Sequence, residues 1–152
     1  MNSNDILIVS QLRSDARKPI LEISTCLKIC RATVTDRLRI LQTTVIQKYI
    51  ALVDFKKLGY PVQLCFSITL AEEDKEVFCR YIQQHPLLNN LYKLQEGFDY
   101  FIEMHFPTKK EAEDFLSSLE NAFSIIEKQV FFVDQELVRE SFFPDPAMHR
   151  GG

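Results

Sequence analysis

No apolar run in the 152-residue sequence approaches the roughly 18 to 20 residues that a membrane-spanning helix needs. The start, Met1-Asn2-Ser3-Asn4-Asp5, lacks the basic beginning and apolar stretch of a secretory signal. From these two absences a cytoplasmic chain without a membrane partner is expected. There is no low-complexity tract and no clear repeat. Cysteine is sparse: Cys26, Cys30, Cys65 and Cys79 match no zinc-ligand pattern, and the Cys26–Cys30 pair has no neighbouring histidine. They read as small, partly buried thiols, so neither a metal nor a cofactor is expected. A surplus of positive charge is also missing, since the net charge is −3, which taken whole argues against nucleic acid.

The distribution of charge says otherwise. Residues 1–57 carry ten Lys and Arg against five acids, a net of +5; residues 58–152 carry eight against sixteen, a net of −8. Phosphate contacts need local positive charge, not a basic average. The alternative is two ordinary solvated surfaces. Hydrophobic residues make up 46% of the chain, which excludes a disordered polymer.

The basic head has helical periodicity. Ile8 and Leu12 mark a first amphipathic helix over 4–14, with Asp5 near its start. Pro19 suits a first helical residue, because its missing N–H would be unpaired there. Ile20, Ile23 and Leu27 stripe a second helix. After a break at Lys28-Ile29-Cys30, a third helix is expected over 31–43, with Val34, Leu38 and Leu41 inward and Arg31, Thr35, Asp36 and Arg39 outward. Three short helices with a tight turn before the third make a helix-turn-helix layout, whose third helix suits a major groove. A plain three-helix cap with a solvated face is the other reading at this point. Ile46–Val53 looks strand-like and linking, and Lys56-Lys57-Leu58-Gly59-Tyr60-Pro61 reads as a turn and boundary.

Beyond it the period changes to two. Val62, Leu64, Phe66, Ile68 and Leu70 alternate with Gln63, Cys65, Ser67 and Thr69, as in a half-buried strand. Asp74 is placed to cap a helix with Val77, Phe78, Tyr81 and Ile82 inward. Strands are expected over 91–96 and 99–106, separated by a turn at Gly97. Thr108 and Glu111 form a capping-box pattern before a helix burying Ala112, Phe115, Leu116 and Leu119. A last strand spans 125–133, and the tail from Pro144 to Gly152 reads as frayed. The order βαββαβ is the ferredoxin-like plan, an antiparallel sheet with two helices on one face. Burying the other face against a second copy makes a homodimer the expected assembly.

Asp5, Ile8, Leu12, Asp15-Ala16-Arg17, Glu22-Ile23, Val34, Arg37-Leu38, Leu41, Ile46, Tyr49, Ala51, Val53-Asp54, Leu58-Gly59 and Phe98-Asp99-Tyr100 together resemble the Lrp/AsnC family, the leucine-responsive and asparagine-synthase regulators, over nearly the whole chain. The resemblance implies an α+β chain: a winged helix-turn-helix domain over 1–45, a linker strand and hinge over 46–60, and a ferredoxin-like assembly and sensing domain over 61–152. It implies a DNA-binding transcription regulator, not an enzyme, that works as a homodimer or higher even-numbered oligomer on double-stranded DNA, with an amino-acid effector. Arg31, Thr33, Asp36 and Arg39 are expected at or beside base edges, Lys28 at the corner, and Arg37 and Lys48 at phosphate or as braces. By family position, Leu94, Glu96, Gly97, Phe98, Asp99 and Tyr100 surround the effector.

Three departures stand out. Lys28-Ile29-Cys30 replaces the family's Gly-x-Ser corner. The glycine after the third helix is missing, and Leu41–Ile46 is one residue short. Glu96 stands where a glycine is usual, with Gly97 one place late. The competing class is a siroheme decarboxylase on the same two-domain plan. It is disfavoured because Asn89-Asn90-Leu91-Tyr92-Lys93 holds no histidine for general acid–base work, His85 reads as a surface residue, and His105 as a residue of the sheet face.

Overall fold

In the computed structural model the described residues are 2–143, so the tail expected to fray lies outside them. The chain forms two compact units. One runs to Leu52 and resumes at Val138; the other spans Val53–Leu137. From the sequence, everything after residue 60 was assigned to the second domain. The return at Val138 differs because Arg13 fastens it: its Nε donates to the Phe142 carbonyl at 3.0 Å, its Nη2 to the Glu140 carbonyl at 2.8 Å, and its Nη1 reaches the Glu140 carboxylate at 3.2 Å.

The first unit holds α1 (Ser3–Ser14), α2 (Ile20–Leu27) and α3 (Arg31–Thr44). α1 starts on a capping box in which Asp5 N–H donates to Asn2 Oδ1 at 2.9 Å and Asn2 N–H donates to Asp5 Oδ2 at 2.8 Å. Pro19 is the N-cap of α2, not its first residue. Ile8, Ile23, Val34 and Leu41 are the buried centre, flanked by Val9, Leu12, Ile20, Leu27, Leu38 and Ile46. A charged brace joins the ends of this small core. Arg37 on α3 grips Asp5 on α1 with Nε to Oδ1 at 2.7 Å and Nη2 to Oδ2 at 2.6 Å. Asp5 is 1% exposed.

The strand expected over Ile46–Val53 does not form among the described residues. A strand exists only as part of a ladder, and the sheet formed by the described residues does not include this segment. Tyr49, Ile50 and Leu52 are left exposed. The first unit therefore has three helices and lacks the expected wing within its described residues.

The second unit holds β1 (Val62–Leu70), α4 (Glu72–Gln83), β2 (Leu88–Lys93), β3 (Tyr100–Phe106), α5 (Lys109–Ala122) and β4 (Ile125–Val133). The sheet is antiparallel throughout, in the order β2-β3-β1-β4. Its helix-side core joins Leu64, Phe66, Ile68 and Leu70 to Ile102, Met104, Phe78, Ile82, Phe115 and Leu119. β3 alternates buried and half-buried as its sequence predicts. Central β1 does not: Cys65 and Ser67, on its other face, are buried too. Flanking strands shield both, and burial, followed by the nearby Glu103 carboxylate, pushes the Cys65 thiol up to about 11.

Three local expectations are corrected. β2 begins three residues early and ends at Lys93, because Leu94 N–H closes a turn onto the Asp99 carbonyl at 2.9 Å. Asp74 does not cap α4: Ala71 is the N-cap, and the Asp74 carboxylate instead accepts from Ser124 N–H at 2.6 Å. Val77 and Tyr81 lie on the exposed side of α4, with only Phe78 and Ile82 buried. At α5, Thr108 Oγ1 accepts from Glu111 N–H as the capping pattern predicts, but Glu111 Oε2 meets the Thr108 hydroxyl in place of its N–H.

The Arg37 guanidinium, by its hydrogen bonds and charge, holds the Asp5 carboxyl below the usual carboxylate value. A depressed folded value means that stability is present above the unfolded value of about 3.9 and is lost as pH falls through the folded one. Asp5→Ala is expected to cost about 3 kcal/mol at pH 7, by removing one partner of a buried pair. Thermal melts from pH 7 to pH 2 check this: the gap between wild type and variant narrows with acid, and a gap independent of pH would contradict the assignment.

Candidate nucleic-acid interface

The approach to α3 is set by the corner before it. α2 ends at Lys28, which takes the left-handed conformation with φ 55°. There Ile29 N–H donates to the Ser24 carbonyl at 3.1 Å, and the Ser24 hydroxyl returns a bond to the Ile29 carbonyl at 2.6 Å. A non-glycine residue in that region costs about 1–2 kcal/mol. Cys30 is the N-cap of α3 and makes no side-chain capping bond. Both residues that break the Gly-x-Ser pattern, Lys28 and Cys30, thus stand at one corner.

The seven residues assigned to DNA divide into three groups. Lys28, Arg31, Thr33, Asp36 and Arg39 are all exposed, on the corner and along α3. Arg37 faces the other way and braces α1 through Asp5. Lys48 lies off the helix, in the segment after α3, and lines an open groove of about 610 Å³ with Leu12, Arg13, Arg17, Tyr49 and Leu52. Arg17 is an exposed basic residue of that groove that sequence reasoning passed over, because it sits in a loop without periodicity. The Thr35 hydroxyl donates back to the Arg31 carbonyl at 2.9 Å.

The six residues assigned to an effector are not one lining. Leu94, Asp99 and Tyr100 border an open groove of about 710 Å³ beside α4, with Glu72, Lys75 and Lys93. Glu96, Gly97 and Phe98 form the turn and lie off that groove. Gly97 has φ 79°, and a Cβ there would meet nothing within 4 Å, so backbone conformation and not space calls for glycine. Asp99 is the one carboxylate of the six that borders this groove. Its carboxylate is already engaged, accepting from Leu70 N–H at 2.9 Å and pairing with Lys75 Nζ at 3.1 Å. Lys75, also paired with Glu72 at 2.7 Å, is held above its ordinary value by these two carboxylates, Glu72 first.

The sheet face opposite the helices carries Asn90, Tyr92, Phe101, Glu103, His105 and Phe131, by strand register. Glu103 accepts from the Asn89 amide, and from Asn90 Nδ2 at 3.4 Å, and meets His105 Nε2 at 3.3 Å. These bonds, the His105 one first, pull its carboxyl below the ordinary value. Phe55 lies against His105 with ring centroids 4.4 Å apart. His85, expected at the surface, packs against Phe115 at 4.9 Å, and burial lowers its pKa. Among the described residues no cluster of three or more metal-ligating side chains occurs, and no helix is long and apolar enough to cross a membrane.

No protein-family model matches the chain. The HTH-type transcriptional regulator LrpC of Bacillus subtilis is 31% identical over 114 residues, which cover 74% of this chain and 79% of that protein. The solved structure of B. subtilis LrpC superposes with a TM-score of 0.82 at 26% identity, over 91% of this chain and 97% of the other. The transcriptional regulator NMB0573 of Neisseria meningitidis, solved as a complex with L-Met, gives 0.83 at 19% identity, over 91% and 93%.

Two substitutions test the corner. Cys30→Ser supplies the missing cap and is expected to stabilise by about 1 kcal/mol. Lys28→Gly relieves the left-handed strain and is expected to raise the melting temperature while weakening DNA binding, because a basic group is lost beside α3. Parallel melting and DNA titration read both effects; a variant that melts lower and binds DNA as tightly as wild type would refute the placement of Lys28.

Proposed function

The chain belongs to the Lrp/AsnC family of helix-turn-helix DNA-binding transcription regulators, and on that premise we propose that it reads a pseudo-palindromic operator as a homodimer, with α3 in the major groove. The observation that carries this is the division of α3. Arg37 is tied inward to Asp5, and Arg31, Thr33, Asp36 and Arg39 are left exposed on the sides turned away from the core. Lys28 adds charge at the corner. Lys48 and Arg17 are offered to phosphate, since neither engages a base-reading element.

The dimer is supported by the sheet. Two helices cover one face, while the other carries exposed Tyr92 and Phe131 beside Phe101. A second copy of that face would bury them, and larger even-numbered assemblies are a further step of the same kind. In this reading 1–45 reads DNA, 46–60 is the link, and the sheet domain assembles and senses. One reading head offers few cations, and the body is acidic, so two heads about 34 Å apart are needed for tight binding.

An amino-acid-class effector near the 94–100 turn is supported by the neighbour solved with L-Met. Glu96 is exposed on that turn and repels a carboxylate, while Asp99 is occupied by Leu70 and Lys75. A ligand with less negative charge than a free amino acid fits best.

Two outcomes are expected. DNA affinity falls steeply with salt, with a log–log slope set by the phosphates neutralised, and it falls with dilution below the dimer's dissociation range. Titrations at several salt concentrations alongside sedimentation measure both, and a monomer that binds a half-site at full affinity would refute the dimeric reading. In calorimetry with the twenty amino acids, aspartate and glutamate are expected to bind least, and Glu96→Gly to tighten the rest. Micromolar glutamate binding by wild type would defeat the role given to Glu96.

A further inference from the structure

Val34 and Leu41 are buried on α3. At about 100° per residue, the line opposite them runs through Ala32, Asp36, Arg39 and Thr43. All four are exposed. An acid therefore lies on the outermost line of the helix proposed to enter a phosphate-lined groove, within a basic unit.

Helix stability does not account for it. Asp36 is beyond the first turn of α3, where an acid gains from the helix dipole, and that turn holds no acid. Arg39 is three residues on, at a spacing that allows a surface pair. Among the described residues, however, neither Asp36 nor Arg39 has an ion-pair partner, whereas Arg80–Glu76 on α4 does form one. Nor does the capping or core network use Asp36. Its charge lowers attraction to phosphate everywhere along DNA, a cost that sequence discrimination offsets.

Resting on the DNA-reading function proposed above, we infer that Asp36 and Arg39 together read a G·C base pair, or two adjacent ones, in each half-site. A carboxylate has no donor and accepts from cytosine N4, the donor of that pair's major-groove edge. A guanidinium donates in a fork to guanine O6 and N7. The two side chains rise about 4.5 Å apart along the helix, within reach of one base-pair step. Guanine and thymine edges present acceptors to Asp36 and are rejected. The same carboxylate thus both selects and repels, and Arg39 restores the attraction only where guanine is present. Ala32, one turn earlier on the same line, offers a methyl group to a neighbouring thymine methyl.

The test is selection from random double-stranded DNA by the full-length wild type, Asp36→Ala, Asp36→Asn and Arg39→Ala, followed by titration of single-pair variants of the wild-type site at fixed salt, with melting curves to verify folding. Wild type is expected to select a symmetric site with a G·C pair in each half. Asp36→Ala is expected to keep or raise affinity for unrelated DNA and to lose about 5- to 150-fold discrimination at that pair. Asp36→Asn shifts the preference there towards adenine, which asparagine recognises through N6 and N7. Arg39→Ala loses discrimination at the same or the adjoining pair. An unchanged site in both Asp36 variants, or a wild-type site without G·C under α3, overturns this inference while leaving the DNA-reading function intact. Wild type that selects no sequence overturns both.

Discussion

The first unit depends on one buried ion pair. Its fully buried apolar centre is four side chains, each from a short helix, too few to fix how α1 and α3 lie against each other. Apolar contact is non-directional, and a small core tolerates rotation of a helix about its axis. The Asp5–Arg37 fork removes that freedom. Arg37 presents two donors in a plane, and both Asp5 oxygens are taken up. The same carboxylate closes the capping box with Asn2, so the start of α1, the rotation of α3 and the direction of its polar side are fixed by one group. A buried pair of this kind adds less net stability than its geometry suggests. Its effect is to leave a single arrangement.

The corner at Lys28 shows the opposite balance. Left-handed backbone without glycine and an N-cap without a hydroxyl both break local preference, at the point where α3 is launched. Local rules are commonly broken where function demands another residue. Here the residue gained is a cation, next to the free N–H groups that open α3.

How far the fold could be read from the chain follows from which forces decided it. The three helices, β1, β3 and β4 are written in periodicity, because each has one face against a core. β2 lies three residues earlier than its pattern suggests because Leu91–Glu96 has apolar residues on both faces, and the strand's end is set by the turn in which the Asp99 carbonyl accepts from Leu94 N–H. Asp74 looked like a cap and is instead a tie to Ser124, fifty residues on. The segment 46–53 has strand composition but joins no strand of the described sheet. Within the candidate sites, exposure along α3 was legible from spacing. The inward turn of Arg37 and the commitment of Asp99 were not, since both depend on partners that only the folded chain brings near.

The charge pattern gains a physical sense from the chain path. The polypeptide passes from the first unit to the sheet unit after Leu52 and comes back at Val138. Arg13 fastens the returning segment with two bonds to backbone carbonyls and one to the Glu140 carboxylate. A lone exposed pair would contribute little, but carbonyls are acceptors that side-chain motion cannot withdraw. Residues 1–57 are net basic and residues 58–152 net acidic, so the charge that phosphate attracts is confined to one part of the chain. Long-range attraction from a chain of net negative charge is weak, so the proposed reading places the binding energy in short-range contacts at α3. A protein of net charge −3 can then bind DNA at its sites without being retained along every stretch of phosphate.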